Sequence, residues 1–435
     1  MKLSIIIPVG KDEKNFHLIH QIKNQFLDGE IILVCDSQCD RANLENVHYH
    51  QLLFIDNSTR AKALNEGSRY AKYSYLWFLH LDSNIQNINP NDLLSLDEKK
   101  LYYFSLAFDN SWSHLNAIGA NYRSKLFQIP FGDQGFLLSK KLFFFLGMFN
   151  ETLNRGEDHE LIWRAKSLHI AIQALPKTII TSARKYKAKI IFQTMITVWR
   201  TIIQIIQFKK KQVQNIYIFF SKDPFSVQSK TRLRKETDDD FVNQFNRLCL
   251  SIMKENIVQL QNNETNKIVF VNNGHDNSYI EQLGLSNLGI MNIYSSELGI
   301  SMRDAYKFAS SFIDHVILTG SDIPEITADI LKNSADLVNN NSNIFYPTID
   351  GGFCIFATKD KNLETVFTSV QYSSNTTLKN FVSYLTKYQI ENYFFHDIDT
   401  LEDIQKLYQT WKVTNPLSTK QKEMLMFLEK SNWLK

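Results

Sequence analysis

The sequence has 435 residues but only 4 cysteines, and these are scattered: Cys35, Cys39, Cys249 and Cys354. Cys35-x-x-x-Cys39 has no second pair to complete a zinc site. The thiols are therefore expected to be unpaired in a reducing compartment, not part of a disulfide framework. No sign of charge dominates: the formal net charge is +3, which gives no global case for nucleic acid as a partner. A long apolar run is missing too. The nearest approach, IIFQTMITVWRTIIQIIQF at 190–208, is broken by Gln193, Arg200, Gln204 and Gln207, and three lysines follow it. A spanning helix needs about 20 mostly apolar residues, so the stretch is expected to be a packed amphipathic helix. The alternative is a helix lying on an anionic membrane surface. Neither G-x-G-x-x-G after an opening strand nor G-x-x-x-x-G-K occurs, which argues against a dinucleotide oxidoreductase and a P-loop enzyme. MKLSIIIPV is too short for a signal peptide and reads as a first strand.

What is present is an ordinary globular composition, 44% hydrophobic and 21% charged, with length for two or three domains. Residues 3–8 and 30–35 read as strands with a helical pattern at 15–26 between them. That is a βαβ opening, hence a parallel sheet with helices on its faces. Further strands are expected at 75–79, 101–108, 135–138 and 179–181, with a helix at 157–168. A second opening strand, NIYIFFS, lies at 215–221. Apolar strands follow it at 268–271, 316–318, 344–346 and 353–356, with helical patterns at 241–257 and 302–312. The expected organisation is an α/β domain over 1–189, an amphipathic helix and linker over 190–213, a second α/β domain over 214–415 and a helical tail over 416–435. No sequence repeat links the halves; the likeness is one of architecture.

The richest stretch is 60–83, RAKALNEGSRYAKYSYLWFLHLDS. It reads as a helix with small residues for close packing, then a strand buried on both faces, then Asp82 just past the strand. Ligands of open α/β sheets sit beyond the carboxyl ends of the strands. A carboxylate there suits a hard divalent cation bridging a diphosphate. Asp36 ends the second strand, where a carboxylate can accept bonds from a base or ribose. Arg60 stands at the head of the helix, where it can meet phosphate. Glu157 and Asp158 open the helix at 157–168. The helix dipole alone favours acids there; the functional reading makes Asp158 a general base for an acceptor hydroxyl.

The ordered set LSIIIPV, VCDSQCD, RAKALNEG, FLHLDS, FGDQGFLLSK and GEDHELIWR resembles family 2 glycosyltransferases of the GT-A fold. Within them it resembles the small bacterial branch associated with arsenosugar biosynthesis and radical-SAM/selenodomain proteins (the transferase 2 type). The resemblance covers the chain to residue 212. It implies an inverting transfer of a sugar from a nucleotide-diphosphate donor. It also implies Pro8 and Asp36 at the nucleotide, Asp82 on Mn²⁺ or Mg²⁺, and Asp158 as base beside Glu157. Gly132, Asp133 and Gln134 would border the acceptor, with Arg60 and Arg184 near the diphosphate. Lys11-Asp12, Ser37-Gln38-Cys39 and Leu81 depart from the family's pattern and leave the donor's identity open.

In the second half, three Asp-bearing turns adjoin strands: Gly320-Ser321-Asp322-Ile323-Pro324, Asp350-Gly351-Gly352 and Asp397-Ile398-Asp399-Thr400. Lys230 and Arg232 follow the opening strand. Singly, an Asp-Gly-Gly is a turn and an Asp-Ile-Asp-Thr a helix cap. Together they resemble GT-A-like nucleotidyltransferases related to the guanylyltransferase of deazaflavin-cofactor assembly (the transferase 1 type), over residues 215–407. That resemblance implies Asp322 and Asp399 as metal carboxylates, Lys230 and Arg232 on triphosphate, and Asp350, Gly351 and Gly352 shaping a pocket. The family's Pro-x-Pro-Gly loop is replaced here by Pro224-Phe225-Ser226-Val227-Gln228-Ser229, without its glycine. The expectation is a fused, cytoplasmic two-domain transferase, or one peripheral at the inner membrane face. Its ligands would be a nucleotide sugar and a nucleoside triphosphate, with no nucleic acid. The alternatives are a non-catalytic nucleotide-sugar sensor or scaffold, an active first domain with a degenerate structural second one, and a membrane-surface partner protein.

Overall fold

Every residue of β1 (Ser4–Val9) is buried except Pro8, as a strand covered on both faces requires. The computed structural model describes residues 2–109, 114–182, 212–221, 229–272, 279–280, 283–285, 288–295, 297–413 and 417–434. Arg184, the stretch 190–211 and the loop 222–228 lie outside these. The chain forms two compact units, Met1–Gln212 and Val213–Lys435.

The first unit is built on eight strands: β1, β2 (Glu30–Asp36), β3 (Gln51–Ile55), β4 (Tyr75–Phe78), β5 (Ser83–Asn84), β6 (Leu101–Phe108), β7 (Leu137–Ser139) and β8 (Ile172–Thr181). Their order is β3-β2-β1-β4-β7-β6-β8-β5. The first four are mutually parallel, β7 is antiparallel to both its neighbours, and β6 and β8 run parallel. Helices cover both faces. Ile5, Ile7 and Val9 pack in one core with Leu18, Ile19 and Ile22 of α1 (His17–Gln25). On the other face Gly67 of α2 (Arg60–Tyr70) sits so close that a Cβ would collide with Ile6 and press on Val34. The glycine is what lets α2 lie flat on the sheet.

Strand β8 starts at Ile172, well before the expected 179–181. Pro176 lies within it, and the β6–β8 register skips at Phe104/Ser105 to absorb it, the usual place for proline in a sheet. Helix α3 (His114–Phe127) and helix α4 (Lys140–Leu146) precede α5 (Glu157–Ser167).

The second unit repeats this plan. Its strands are β9 (Asn215–Ser221), β10 (Asn266–Asn272), β11 (Gly289–Asn292), β12 (His315–Gly320), β13 (Asn343–Pro347), β14 (Phe353–Thr358) and β15 (Gln389–Ile390). The order β11-β10-β9-β12-β14-β13-β15 reproduces β3-β2-β1-β4-β7-β6-β8, strand for strand and direction for direction. Leu233, Phe241, Phe245, Leu407, Trp411, Met424 and Leu428 form one core cluster. The helix Thr419–Lys430 is therefore part of this unit's core, and Gln421 also donates to the Pro324 carbonyl at 2.9 Å.

Asp350-Gly351-Gly352 turns the chain between β13 and β14. Asp350 Oδ1 accepts from Thr348 Oγ1 and from the Gly352 amide, which caps the turn. Gly351 has φ +88°, and a Cβ there would collide with the Asn375 backbone. Gly351→Ala is expected to lower the unit's stability by about 2 kcal/mol; a urea melt with an unchanged midpoint would contradict this.

Candidate active site

Pairing of β1 with β2 continues to Val9, but pairing with β4 stops at Ile6. Pro8 has no N–H to extend a ladder. The two strands part here, at the switch point where the chain passes from one side of β1 to the other, which is where open α/β sheets bind ligands. Beyond β4 the chain carries His80 and Asp82 into a cleft of about 580 Å³. Arg60, Asp133 and Asp158 line the same cleft, with Phe108 and Phe131 on its walls. Glu157 lines a narrow adjoining hollow that shares Arg60, His80 and Asp158. Residues from 60 to 158 in the sequence are thus brought to one rim.

Asp158 is held from three directions. Its Oδ2 accepts from the Gly132 amide at 2.8 Å and faces Arg60 at 3.5 Å, and its Oδ1 accepts from the His159 amide at 2.9 Å. A Cβ on Gly132 would press on that Oδ2, so the close approach needs glycine. Burial works to raise the Asp158 pKa, but Arg60 and these amides outweigh it and hold the carboxyl below its ordinary range. Arg60 is itself shared. Its Nε donates to the buried Glu157, and its guanidinium approaches His80 Nε2 at 3.4 Å. Burial opposes its charge, but Asp158 and Glu157 keep it firmly protonated. Arg60, read from the sequence as a phosphate ligand, is here the counter-ion of both acids that open α5, and Glu157 anchors it.

The turn 132–134 divides its labour. Asp133 reaches the cleft with Oδ1 buried and without a hydrogen-bond partner. Burial and the nearby Asp158 push its pKa up to about 6, against Arg123 and Arg60. Gln134 is fully buried. Its Oε1 accepts from Ser124 Oγ at 2.7 Å and the Phe131 amide at 3.1 Å, and its Nε2 donates to the Phe104 carbonyl at 3.1 Å. Gln134, expected on the acceptor border, has both side-chain polar atoms bonded inside the fold, where it braces the turn. Beneath Phe131 lies His159 at 4.0 Å between ring centroids, and Arg123 covers the Phe131 ring at 3.4 Å. Burial drives the His159 pKa down to about 4, so this ring stays neutral.

Asp36 stands at the end of β2 but is not among the residues lining the cleft. Its two oxygens accept from the amides of Gln38 (3.0 Å) and Ser58 (3.1 Å), with Lys11 at 3.8 Å. These amides hold its pKa below the ordinary value. Its observed task is to tie the loops after β2 and β3 together.

Among the described residues, no three His, Cys, Asp or Glu side chains form a metal cage. The carboxylates in the cleft nonetheless suit a cation of one kind. Mg²⁺ and similar hard ions are held by one or two carboxylates and completed by substrate phosphates. Asp82, with the unpartnered Oδ1 of Asp133 in the same cleft, offers that oxygen-only set.

In the second unit the equivalent rim gathers Lys230, Asp322, Asp397 and Asp399. Lys230 adopts the left-handed region at φ +49°, rare for a side chain with a Cβ, and opens the helix Thr231–Glu236. Its side chain is 5% exposed; Nζ donates to the Ile398 carbonyl at 2.6 Å and faces Asp322 at 3.9 Å. Arg232 pairs with Asp399 at 3.7 Å. Asp397 was legible only as part of a turn. Burial, then Asp322 and Asp399, raise its pKa to about 7. Also unforeseen is Glu325, buried, which accepts from Tyr393 Oη, the His396 amide and His396 Nδ1 at 2.7–3.0 Å. Its signal was local: the acid directly follows Pro324 in the Asp322 loop.

Residues 256–374, within the second unit, match the family described as uncharacterized protein conserved in bacteria, DUF2064. No curated protein matches the chain in sequence. Among solved structures, the chain is similar to a Desulfovibrio desulfuricans protein described as a nucleotide-diphospho-sugar transferase, at 19% identity and TM-score 0.41, covering 50% of this chain and 98% of that one. It is similar to the 4-diphosphocytidyl-2C-methyl-D-erythritol synthase of Anaerococcus prevotii at 12% identity and TM-score 0.34, covering 46% and 96%. It is also similar to a Mycobacterium tuberculosis protein solved with manganese, at 13% identity and TM-score 0.31, covering 45% and 97%.

Proposed function

We propose that the first unit transfers a sugar, with inversion, from a nucleotide-diphosphate donor to a hydroxyl acceptor, and that the second unit is a nucleotidyltransferase-like domain. The observation that carries this is the single cleft uniting Arg60, His80, Asp82, Asp133 and Asp158 beyond the carboxyl ends of β1 and β4. Asp158 is the general base. Its carboxylate takes the acceptor's hydroxyl proton as that oxygen attacks the anomeric carbon. The bond from that carbon to the donor phosphate breaks, and the nucleoside diphosphate leaves with the electron pair. Arg60 and the Gly132 amide keep the base oriented. A divalent cation on Asp82 would supply a Lewis acid for the charge gathering on the diphosphate.

For the second unit, Asp322 and Asp399 would hold a cation, and Arg232 would meet a triphosphate. Lys230 and Asp350 are engaged in the fold itself, which supports the reading of a domain that binds nucleotide while chiefly serving the first.

The test is a thermal-shift series on the full chain with Mn²⁺ and a panel of nucleotide sugars and nucleoside triphosphates. A saturating donor is expected to add about 3 kcal/mol at 100 times its Kd, a rise of several degrees that Asp82→Ala removes. The triphosphate shift is expected to survive Asp82→Ala and vanish in Arg232→Ala/Asp322→Ala. No rise with any nucleotide sugar would overturn the reading of the first unit; no rise with any triphosphate would overturn that of the second.

A further inference from the structure

Helix α3 is apolar where a surface helix is normally charged. Its inner face is fixed to the fold. Asn121 bonds both the amide and the carbonyl of Leu106 (2.8 and 2.9 Å), and Ser124 donates to Gln134. Arg123 covers Phe131 in the cleft wall. The outer face carries Ile118, Tyr122 and Leu126 at successive four-residue steps, then Phe127. They are 39%, 70%, 72% and 45% exposed. Single exposed apolar residues are ordinary, but a row along one helix is not. Amphipathic helices of soluble domains turn such a row inward.

The charge on this element has one sign. Residues 114–127, HLNAIGANYRSKLF, contain no Asp or Glu. Lys125 is exposed beside the stripe, and Lys166 Nζ bonds the Phe127 carbonyl at the helix end, 2.7 Å away. The negative pole of the helix accounts for cations in the last turn.

We propose that the outer face of α3 docks on an anionic lipid surface. Ile118, Tyr122 and Leu126 lie in the headgroup boundary, and Lys125 meets lipid phosphate. No helix among the described residues is long and apolar enough to cross a membrane, so the attachment is interfacial. A second copy of the chain fits this face less well. A two-fold contact sets the same patch against itself and would bring like cations together with no acid on the helix to answer them. Because the inner face of the same helix holds Gln134 and Phe131, docking seats one wall of the cleft on the lipid. The inference stands on α3 alone and does not need the reading of sugar transfer.

The experiment is flotation of the full chain with phosphatidylcholine vesicles, with and without about one-third phosphatidylglycerol. The wild type is expected to float with the anionic vesicles and not with phosphatidylcholine alone. Tyr122→Ser/Leu126→Ser is expected to weaken partitioning roughly tenfold or more, and Lys125→Glu to weaken it less. All three side chains are exposed, and unchanged circular dichroism will show that the fold persists. If the wild type fails to float with anionic vesicles, or the double variant floats as well as the wild type, the proposal is overturned; the second result assigns binding to another segment. A wild-type dimer in sedimentation velocity that the double variant breaks, without lipid binding, assigns the face to a second copy instead.

Discussion

Asp158→Asn is expected to slow glycosyl transfer about 10³-fold, within the range general bases contribute, while leaving the thermal shift caused by donor and Mn²⁺ intact. Asparagine keeps the shape and one oxygen for the Gly132 amide. It loses the charge that takes up the acceptor's proton. The argument rests on how firmly the carboxylate is held: Arg60 at 3.5 Å and two backbone amides keep it ionised. A base of lowered pKa is weak, but it is available over the whole neutral range, and Arg60 keeps its Glu157 anchor when Asp158 is neutralised. The readout is release of nucleoside diphosphate in the presence of acceptor. A loss under tenfold would remove Asp158 from the chemistry and leave it a clamp for Arg60 and the 132–134 turn.

Much of the scaffold was legible because it is written in short-range periodicity. The continuous apolar run before His80 predicts β4, and 101–108 and 215–221 coincide with observed strands. Asp82 could be assigned to the rim because the carboxyl ends of parallel strands fall on one side of a sheet; Asp158 opens a helix that follows α4 and no parallel strand end, so its expected place beside Asp82 came from the family resemblance. What could not be read depends on which distant groups meet. Arg60 and Glu157 are 97 positions apart, and nothing local says that the arginine turns to an acid and not to a ligand. Gln134 and Asp133 are adjacent, yet one is spent on Ser124 and Phe104 and the other is left with an unpaired oxygen. Helix α3 escaped because apolar residues on both faces and Gly119 erase its period. Strand β3 is half-buried along its whole length at a sheet edge, so it carries no contrast between faces.

The two units share strand order and direction without a visible sequence repeat, and both place an acid shortly past the fourth strand of the order: Asp82 after Phe78, Asp322 after Gly320. They differ in what neutralises that rim. In the first, a partly exposed arginine answers two acids. In the second, a nearly buried lysine is fastened to a backbone carbonyl.

Asp133→Asn is expected to stabilise the first unit by about 2–3 kcal/mol at pH 7.5 and to leave it unchanged near pH 4. The sign follows from the raised pKa. The ordinary value is 3.8 and the folded value is about 6, so the folded protein holds this proton more tightly than the unfolded chain does. Stability is unaffected by the group below 3.8, falls as pH climbs through the interval, and above 6 carries the whole cost of keeping a charge out of water beside Asp158. Asparagine never takes on that charge. The difference between variant and wild type should therefore open across pH 4 to 6 and then stay constant, as followed by urea denaturation at each pH. A difference that does not vary with pH would show that Asp133 is solvated. The expected gain in stability is informative because it should come with a loss of Mn²⁺-dependent donor binding. Asp133 Oδ1 is buried without a hydrogen-bond partner and shares its cleft with Asp82, so the oxygen that is costly to charge is also one that could meet a cation. If Asp133→Asn stabilises the unit and the Mn²⁺-dependent shift remains full, the strain belongs to packing of the 132–134 turn, and Asp82 acts without it.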